Sequence, residues 1–112
     1  MCIFCKVAKK EIPAKIELED DDLVAFHDIN AQAPIHILVI PKQHITGIGE
    51  VTDEHVTVLG KLLVAARRVA EDAGLSQSGF RVVVNHGPHA GQTVHHLHVH
   101  VLGGRPLAWP PG

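Results

Sequence analysis

The chain has 112 residues, 46% of them hydrophobic and 20% charged, the balance of an ordinary globular domain that buries roughly two-thirds of its unfolded surface around one core. Ten Lys+Arg against twelve Asp+Glu leave a net charge of −2, with no basic block to neutralise many phosphates, which excludes duplex nucleic acid as the main partner. The longest apolar run, residues 35–41, falls far short of the ~20 residues of a membrane span. Met1-Cys2-Ile3-Phe4-Cys5 has no signal-peptide layout, so a cytoplasmic protein without a membrane partner is expected.

The C-x-x-C pair Cys2 and Cys5 comes first. Outside an export context that spacing points to metal or redox chemistry before a structural disulfide. Residues 7–11 suit a short helix ended by Ile12-Pro13, because the residue before a proline resists helical geometry. Residues 15–19 and 23–27 predict two strands joined by the acidic turn Asp20-Asp21-Asp22. After a polar loop, 28–34, the β-branched run 35–40 reads as a buried central strand that Pro41 stops. A long helix starts at an N-cap, Thr52, with Asp53 and Glu54 at the positive end of its dipole, and stops at Gly74. Val56, Leu59, Leu63, Ala66, Val69, Ala70 and Ala73 make its apolar stripe. Residues 81–85 predict another strand, 86–92 a glycine-rich loop, and 94–102 the last strand. Strands joined by short connections around one long helix imply an α+β fold with a five-stranded, mostly antiparallel sheet and a short N-terminal helix. Residues 1–112 are read as one domain, with 105–112 as an extended tail.

Ten histidines and no tyrosine is the one abnormal count. In the run from His95 to Leu102, alternate side chains share a face of a strand, so His96, His98 and His100 line up while Leu97, Val99 and Val101 point into a core. At about 3.3 Å per residue the outer two Cα atoms stand ~13 Å apart. Two neighbouring imidazoles can therefore share a metal, but three cannot without a sharp bend. The alternative is a polar row facing an anion. One imidazole attacks phosphorus through one nitrogen while its other N–H is held by an orienting group. A second hydrogen-bonds a phosphate oxygen or assists the leaving group. Gly87, Gly91, Gln92 and Thr93 offer further donors for phosphate.

The His-x-His-x-His run with two aliphatics after it, preceded by Asn85, Gly87 and Gly91-Gln92-Thr93-Val94, closely resembles the signature of the histidine triad (HIT) family. The likeness covers nearly the whole chain: Glu11-Ile12-Pro13-Ala14-Lys15, Ala25-Phe26-His27-Asp28-Ile29, Gln32-Ala33-Pro34, His36, Pro41-Lys42 with His44, and Gly103-Gly104-Arg105 through Trp109-Pro110-Pro111-Gly112. It looks like the Hint branch, the nucleoside phosphoramidases. The resemblance implies a nucleotide-binding hydrolase that cleaves the P–N bond of purine nucleoside 5′-phosphoramidates, with purine nucleoside monophosphates and their amine conjugates as ligands. His98 matches the nucleophile and His100 the contact to phosphate oxygens or leaving group. His36 would sit against the phosphate from the neighbouring strand, and Thr93, where the branch often has Ser, would hydrogen-bond the leaving amine. Phe26, His27, Asp28 and Ile29 match the ribose and base side, and Asn85, Gly91 and Gln92 match substrate contacts. His95 departs from the commoner aromatic or aliphatic residue and should point away from the triad. His86 and His89 read as solvated loop residues.

The resemblance also implies a structural zinc, one per chain, held by Cys2, Cys5, His44 and His96 in a closed site, so that no metal serves the chemical step. The tail from Arg105 holds Pro106, Pro110, Pro111 and the only tryptophan, and must run as extended chain. In the Hint branch it crosses the two-fold axis of a homodimer, which would set Trp109 beside the partner's site. Three alternatives stand beside this: a dinucleotide polyphosphate hydrolase, a nucleotide- or partner-binding module with incidental hydrolysis, and a metal-dependent hydrolase built on the histidines. The tail weighs against the first and the strand geometry against the last.

Overall fold

The computed structural model describes residues 2–112. Its five strands, β1 (Ile16–Glu19), β2 (Leu23–His27), β3 (Ile35–Pro41), β4 (Phe80–Val83) and β5 (Val99–Gly103), form one antiparallel sheet in the order β1-β2-β3-β5-β4. Two α-helices flank it, α1 (Ile3–Ala8) and α2 (Val56–Asp72). This is the expected α+β architecture. One face of the sheet sets Leu23, Ala25, Ile37, Val39, Val99 and Val101 against Leu62, Ala66 and Val69 of α2. The other packs Val24, Phe26, Leu38 and Ile40 against Phe4 and Val7 of α1. β2 and β3 are therefore covered on both sides, which explains their unbroken apolar sequence. Among the described residues no helix is long and apolar enough to cross a membrane.

Several boundaries depart from the sequence expectation. α1 begins at Ile3 instead of residue 7, because the Cys2 sulfur caps it by accepting the Cys5 N–H at 3.3 Å. Thr52 does cap a helix, yet a 3-10 turn, Asp53–His55, intervenes before α2. The stripe drawn through Val56 and Leu63 is also corrected. Those residues are 66% and 55% exposed, and the buried row is Leu62, Ala65, Ala66, Val69 and Ala70. Between 56 and 66 the helix is apolar on nearly every side, so periodicity alone cannot choose the face. The small Ala65, Ala66 and Ala70 decide it by letting the helix approach the sheet closely.

β4 is shorter than residues 81–85 and starts one residue earlier. β5 is regular only from Val99, because the chain bends over residues 94–96. Gly103 closes β5 where a Cβ would stand 2.6 Å from Leu75 Cδ1, so glycine there lets Leu75, just past α2, reach the core.

Candidate active site and metal centre

A cavity of about 310 Å³ opens on the α1 side of the sheet. Ile3, Phe4 and Val7 of α1, with Ile12, make one apolar wall, and Phe26 to Asn30 make the facing wall. Asp28, Thr93, His98 and His100 give the cavity its polar groups. Ile29 lines it although its side chain is fully exposed, an apolar surface that none of the described residues covers. A largely apolar hollow with a few convergent polar groups is the usual form of a small-molecule site.

His98 is buried in the floor. Its Nδ1–H donates to the backbone carbonyl of His96 at 2.7 Å, so in the neutral ring Nε2 carries the free lone pair. The Phe4 ring stands edge-on to it, centroids 5.1 Å apart, and His100 lies beside it at 5.0 Å.

His36 and His100 meet because of strand register. His36 pairs with Leu102 and His100 with Leu38 across β3 and β5, which makes the two imidazoles diagonal neighbours on one face. The Gln32 backbone N–H donates to His36 Nδ1 at 3.0 Å. The neutral ring must then carry its proton on Nε2, which donates to His100 Nδ1 at 2.9 Å, with Asp28 Oδ2 3.4 Å away. His100 in turn keeps its proton on Nε2, as a donor for the cavity it lines. Asp28, His36 and His100 are close enough to hold a cation, but the Gln32 amide occupies the lone pair that would free His36 Nε2 for one. The cluster is better described as a hydrogen-bonded relay. Burial lowers the pKa of His36, with Asp28 opposing, and burial together with the neighbouring His98 and His36 lowers that of His100 to about 4.

The bend before β5 turns the remaining triad histidine away. His96 is fully buried and donates its Nε2–H to the Pro41 carbonyl at 2.8 Å, leaving Nδ1 as a lone pair. That nitrogen lies 3.3 Å from Cys2 Sγ, 3.5 Å from Cys5 Sγ and 3.2 Å from His44 Nδ1, while Cys5 Sγ is 3.2 Å from His44 Nδ1. Four soft or imidazole donors converge within 4.8 Å of one another, close enough to share a small cation, and a backbone carbonyl fixes the tautomer of one of them. The donor set fits zinc. Burial raises the Cys5 thiol and lowers His96.

Other expected residues fall differently. His27, which lines the cavity, is paired with Glu17 at 2.5 Å. His36 is buried and acts on His100 instead of lining the cavity. Gln92 is turned inward: its Nε2 donates to the carbonyls of Thr46 and Val94 and its Oε1 accepts the Gly87 N–H. Its side chain ties the glycine loop together. Asn85, Gly91 and Trp109 do not line this cavity of their own chain. His95 is exposed, as expected. His86 is an exposed loop residue, as expected; what sequence reasoning missed is its contact with the 47–49 turn, where its Nδ1 accepts the Gly49 N–H at 3.1 Å and its ring would meet a Cβ on Gly47 or Gly49. The Gly-x-Gly spacing at 47–49 was the available signal. It also missed Ile3, Phe4 and Val7, apolar residues interleaved with the cysteines.

The fold and the triad define a HIT-domain protein, and the HIT domain family model matches residues 9–107. The chain belongs to that family. It is 51% identical to the 14 kDa zinc-binding protein of Zea mays, over 98% of this chain and 87% of that one. It is 48% identical to Adenylylsulfatase HINT1 of Arabidopsis thaliana, over 98% and 76% of the two chains. Among solved structures it superposes on a HIT family hydrolase from Legionella pneumophila with a TM-score of 0.98 at 47% identity, each chain covered in full. A histidine triad nucleotide-binding protein from Candida albicans gives 0.83 at 30% identity, over 98% of this chain and 83% of that one.

Proposed function

We propose that this protein is a nucleotide-binding hydrolase that cleaves the P–N bond of purine nucleoside 5′-phosphoramidates through a nucleotidyl-His98 intermediate. The observation that carries the reading is the 2.7 Å bond from His98 Nδ1 to the His96 carbonyl, which leaves Nε2 as a lone pair on the floor of the cavity. The base lies between the α1 wall and Phe26 and Ile29, with Asp28 toward the ribose. His98 Nε2 attacks phosphorus, the P–N bond breaks and its electron pair leaves on the amine. Thr93 passes a solvent proton to that nitrogen, giving its own O–H and taking another from water. His100 Nε2–H stabilises charge on the phosphate oxygens. Water then attacks phosphorus, the P–Nε2 bond breaks, and nucleoside monophosphate departs as the proton returns to solvent.

Cys2, Cys5, His44 and His96 would hold one zinc per chain, a structural cation that pins α1 to the sheet. We assign a homodimer, supported by exposed Val56, Leu63 and Val64 on α2, exposed Phe80 and Val82 on the edge strand β4, and Trp109, 80% exposed with Arg81 5.8 Å from its ring centroid. Residues 1–112 act as one domain and 105–112 as the tail that reaches the partner. Free Cys2 and Cys5 suit the reducing cytoplasm. The adenylylsulfatase relative supports a second leaving group, sulfate, on the same nucleotidyl transfer.

The test is His98→Asn in metal-loaded protein. Turnover of an AMP–amine reporter should vanish while AMP affinity stays within severalfold, since a nucleophile acts mainly in the transition state. Near-normal turnover would sink the covalent mechanism, and wild-type protein that binds AMP without turning over any AMP conjugate would leave a binding module.

A further inference from the structure

Taking a nucleotide as the occupant of the cavity, we propose that the Cys2–Cys5–His44–His96 centre sets nucleotide affinity through helix α1, so that metal and nucleotide bind cooperatively, with Phe4 as the coupling residue. α1 has six residues, too few to pay the cost of helix nucleation unaided. Its first turn is held at both ends by the metal ligands: Cys2 Sγ lies 3.3 Å from His96 Nδ1 and Cys5 Sγ 3.2 Å from His44 Nδ1. Ile3 and Phe4, between those cysteines, and Val7, just beyond them, all line the cavity. The wall of the pocket is thus a segment tethered at its first turn by the metal centre, beside the packing of Phe4 and Val7 on the sheet.

Phe4 carries the coupling further. Its ring stands edge-on to His96 at 6.1 Å, to His98 at 5.1 Å and to Phe26 at 5.6 Å. It touches a metal ligand, the reacting imidazole and the opposite wall at once. The His96 carbonyl that orients His98 belongs to the same metal-ligating residue. With the cation gone, the two thiols and two imidazole nitrogens that meet there lose their common partner, and the first turn of α1 is left with the packing of Phe4 on His96 and on the sheet core. A nucleotide packed on Ile3, Phe4 and Val7 prefers the ordered wall. By linkage it must then tighten the metal by the same factor as the metal tightens it.

The experiment titrates zinc in the metal-loaded wild type against a chromophoric chelator, with and without saturating AMP, and measures AMP binding by calorimetry with and without zinc. We expect AMP to raise zinc affinity about ten-fold, and zinc to raise AMP affinity by the same factor. Phe4→Leu, which keeps an apolar side chain, should show less than a two-fold gain over its own AMP-free zinc affinity when AMP is raised to saturate that variant. This variant stays metal-loaded, so the comparison survives even if the zinc-free protein unfolds. Equal zinc affinity with and without AMP in the wild type overturns the coupling, and a full gain kept by Phe4→Leu overturns the role of Phe4. Failure of AMP to bind the zinc-loaded wild type is a different result, which overturns the nucleotide reading and the coupling with it.

Discussion

Replacing His100 by Asn should flatten the acid side of the stability profile. His100 is held near 4 in the folded chain by burial first, then by His98 and His36, against a partial opposing effect of Asp28. In the unfolded chain its pKa returns to 6.5, so between those values the unfolded state binds a proton that the folded state refuses. Stability therefore falls as pH drops through that window, and is fully present above it. At pH 5 the two pKa values correspond to about 2 kcal/mol, reduced to about 1–2 kcal/mol because the ring is only partly shielded from water. The assay is urea unfolding of metal-loaded wild type and His100→Asn at pH 7 and pH 5. The wild type should lose about 1–2 kcal/mol more than the variant over that interval, while effects at the metal centre, common to both, largely cancel. Parallel losses in the two proteins, or a His100 titration midpoint near 6.5 by NMR, would refute the reasoning. A neutral His100 at pH 7 is also what the proposed role requires, an N–H donor to phosphate instead of a charged partner.

Thr93→Ala should slow substrates with basic alkyl-amine leaving groups more than those with good leaving groups, because only the former must leave protonated; equal losses in kcat/KM would remove Thr93 from that role. The full-length protein should be a dimer by light scattering, and deleting residues 106–112 should leave the urea midpoint nearly unchanged while shifting the ranking of leaving groups. A monomer, or an unchanged ranking, would count against the trans-acting tail. Gln92→Ala should cost about 1–3 kcal/mol, the penalty for unpairing buried partners, with KM little changed; the reverse pattern would restore Gln92 as a substrate contact.

The sheet was legible because its chemistry is local. Residues 23–27 and 35–40 are short, apolar and bounded by Asp, Asn and Pro, and the structure places β2 and β3 there with one-residue adjustment. The face of α2 was not legible, since Val56, Val58, Leu59, Leu62, Leu63 and Val64 offer competing stripes and only the sheet opposite selects among them. α1 was misplaced for a related reason. A helix capped by a cysteine sulfur and met by histidines some 40 and 90 residues away has no local signature to read. The roles of Gln92 and His86 likewise depend on loops 40 or so residues apart meeting in space.

The histidine run shows where pattern ends and geometry begins. Period-two alternation correctly sends Leu97, Val99 and Val101 to the α2 side, and it puts His98 and His100 together at the cavity. What it cannot show is that the row is broken by a bend over residues 94–96, which hands His96 to the cysteines. The bend resolves the reach problem of three imidazoles ~13 Å end to end: one strand can offer a metal ligand at one end and cavity imidazoles at the other. The two ends stay joined by a single peptide group, because the carbonyl of His96 is the acceptor that fixes the tautomer of His98. A change that loosened His96 would therefore be felt first as a wrongly protonated His98, before any ligand or substrate contact was lost.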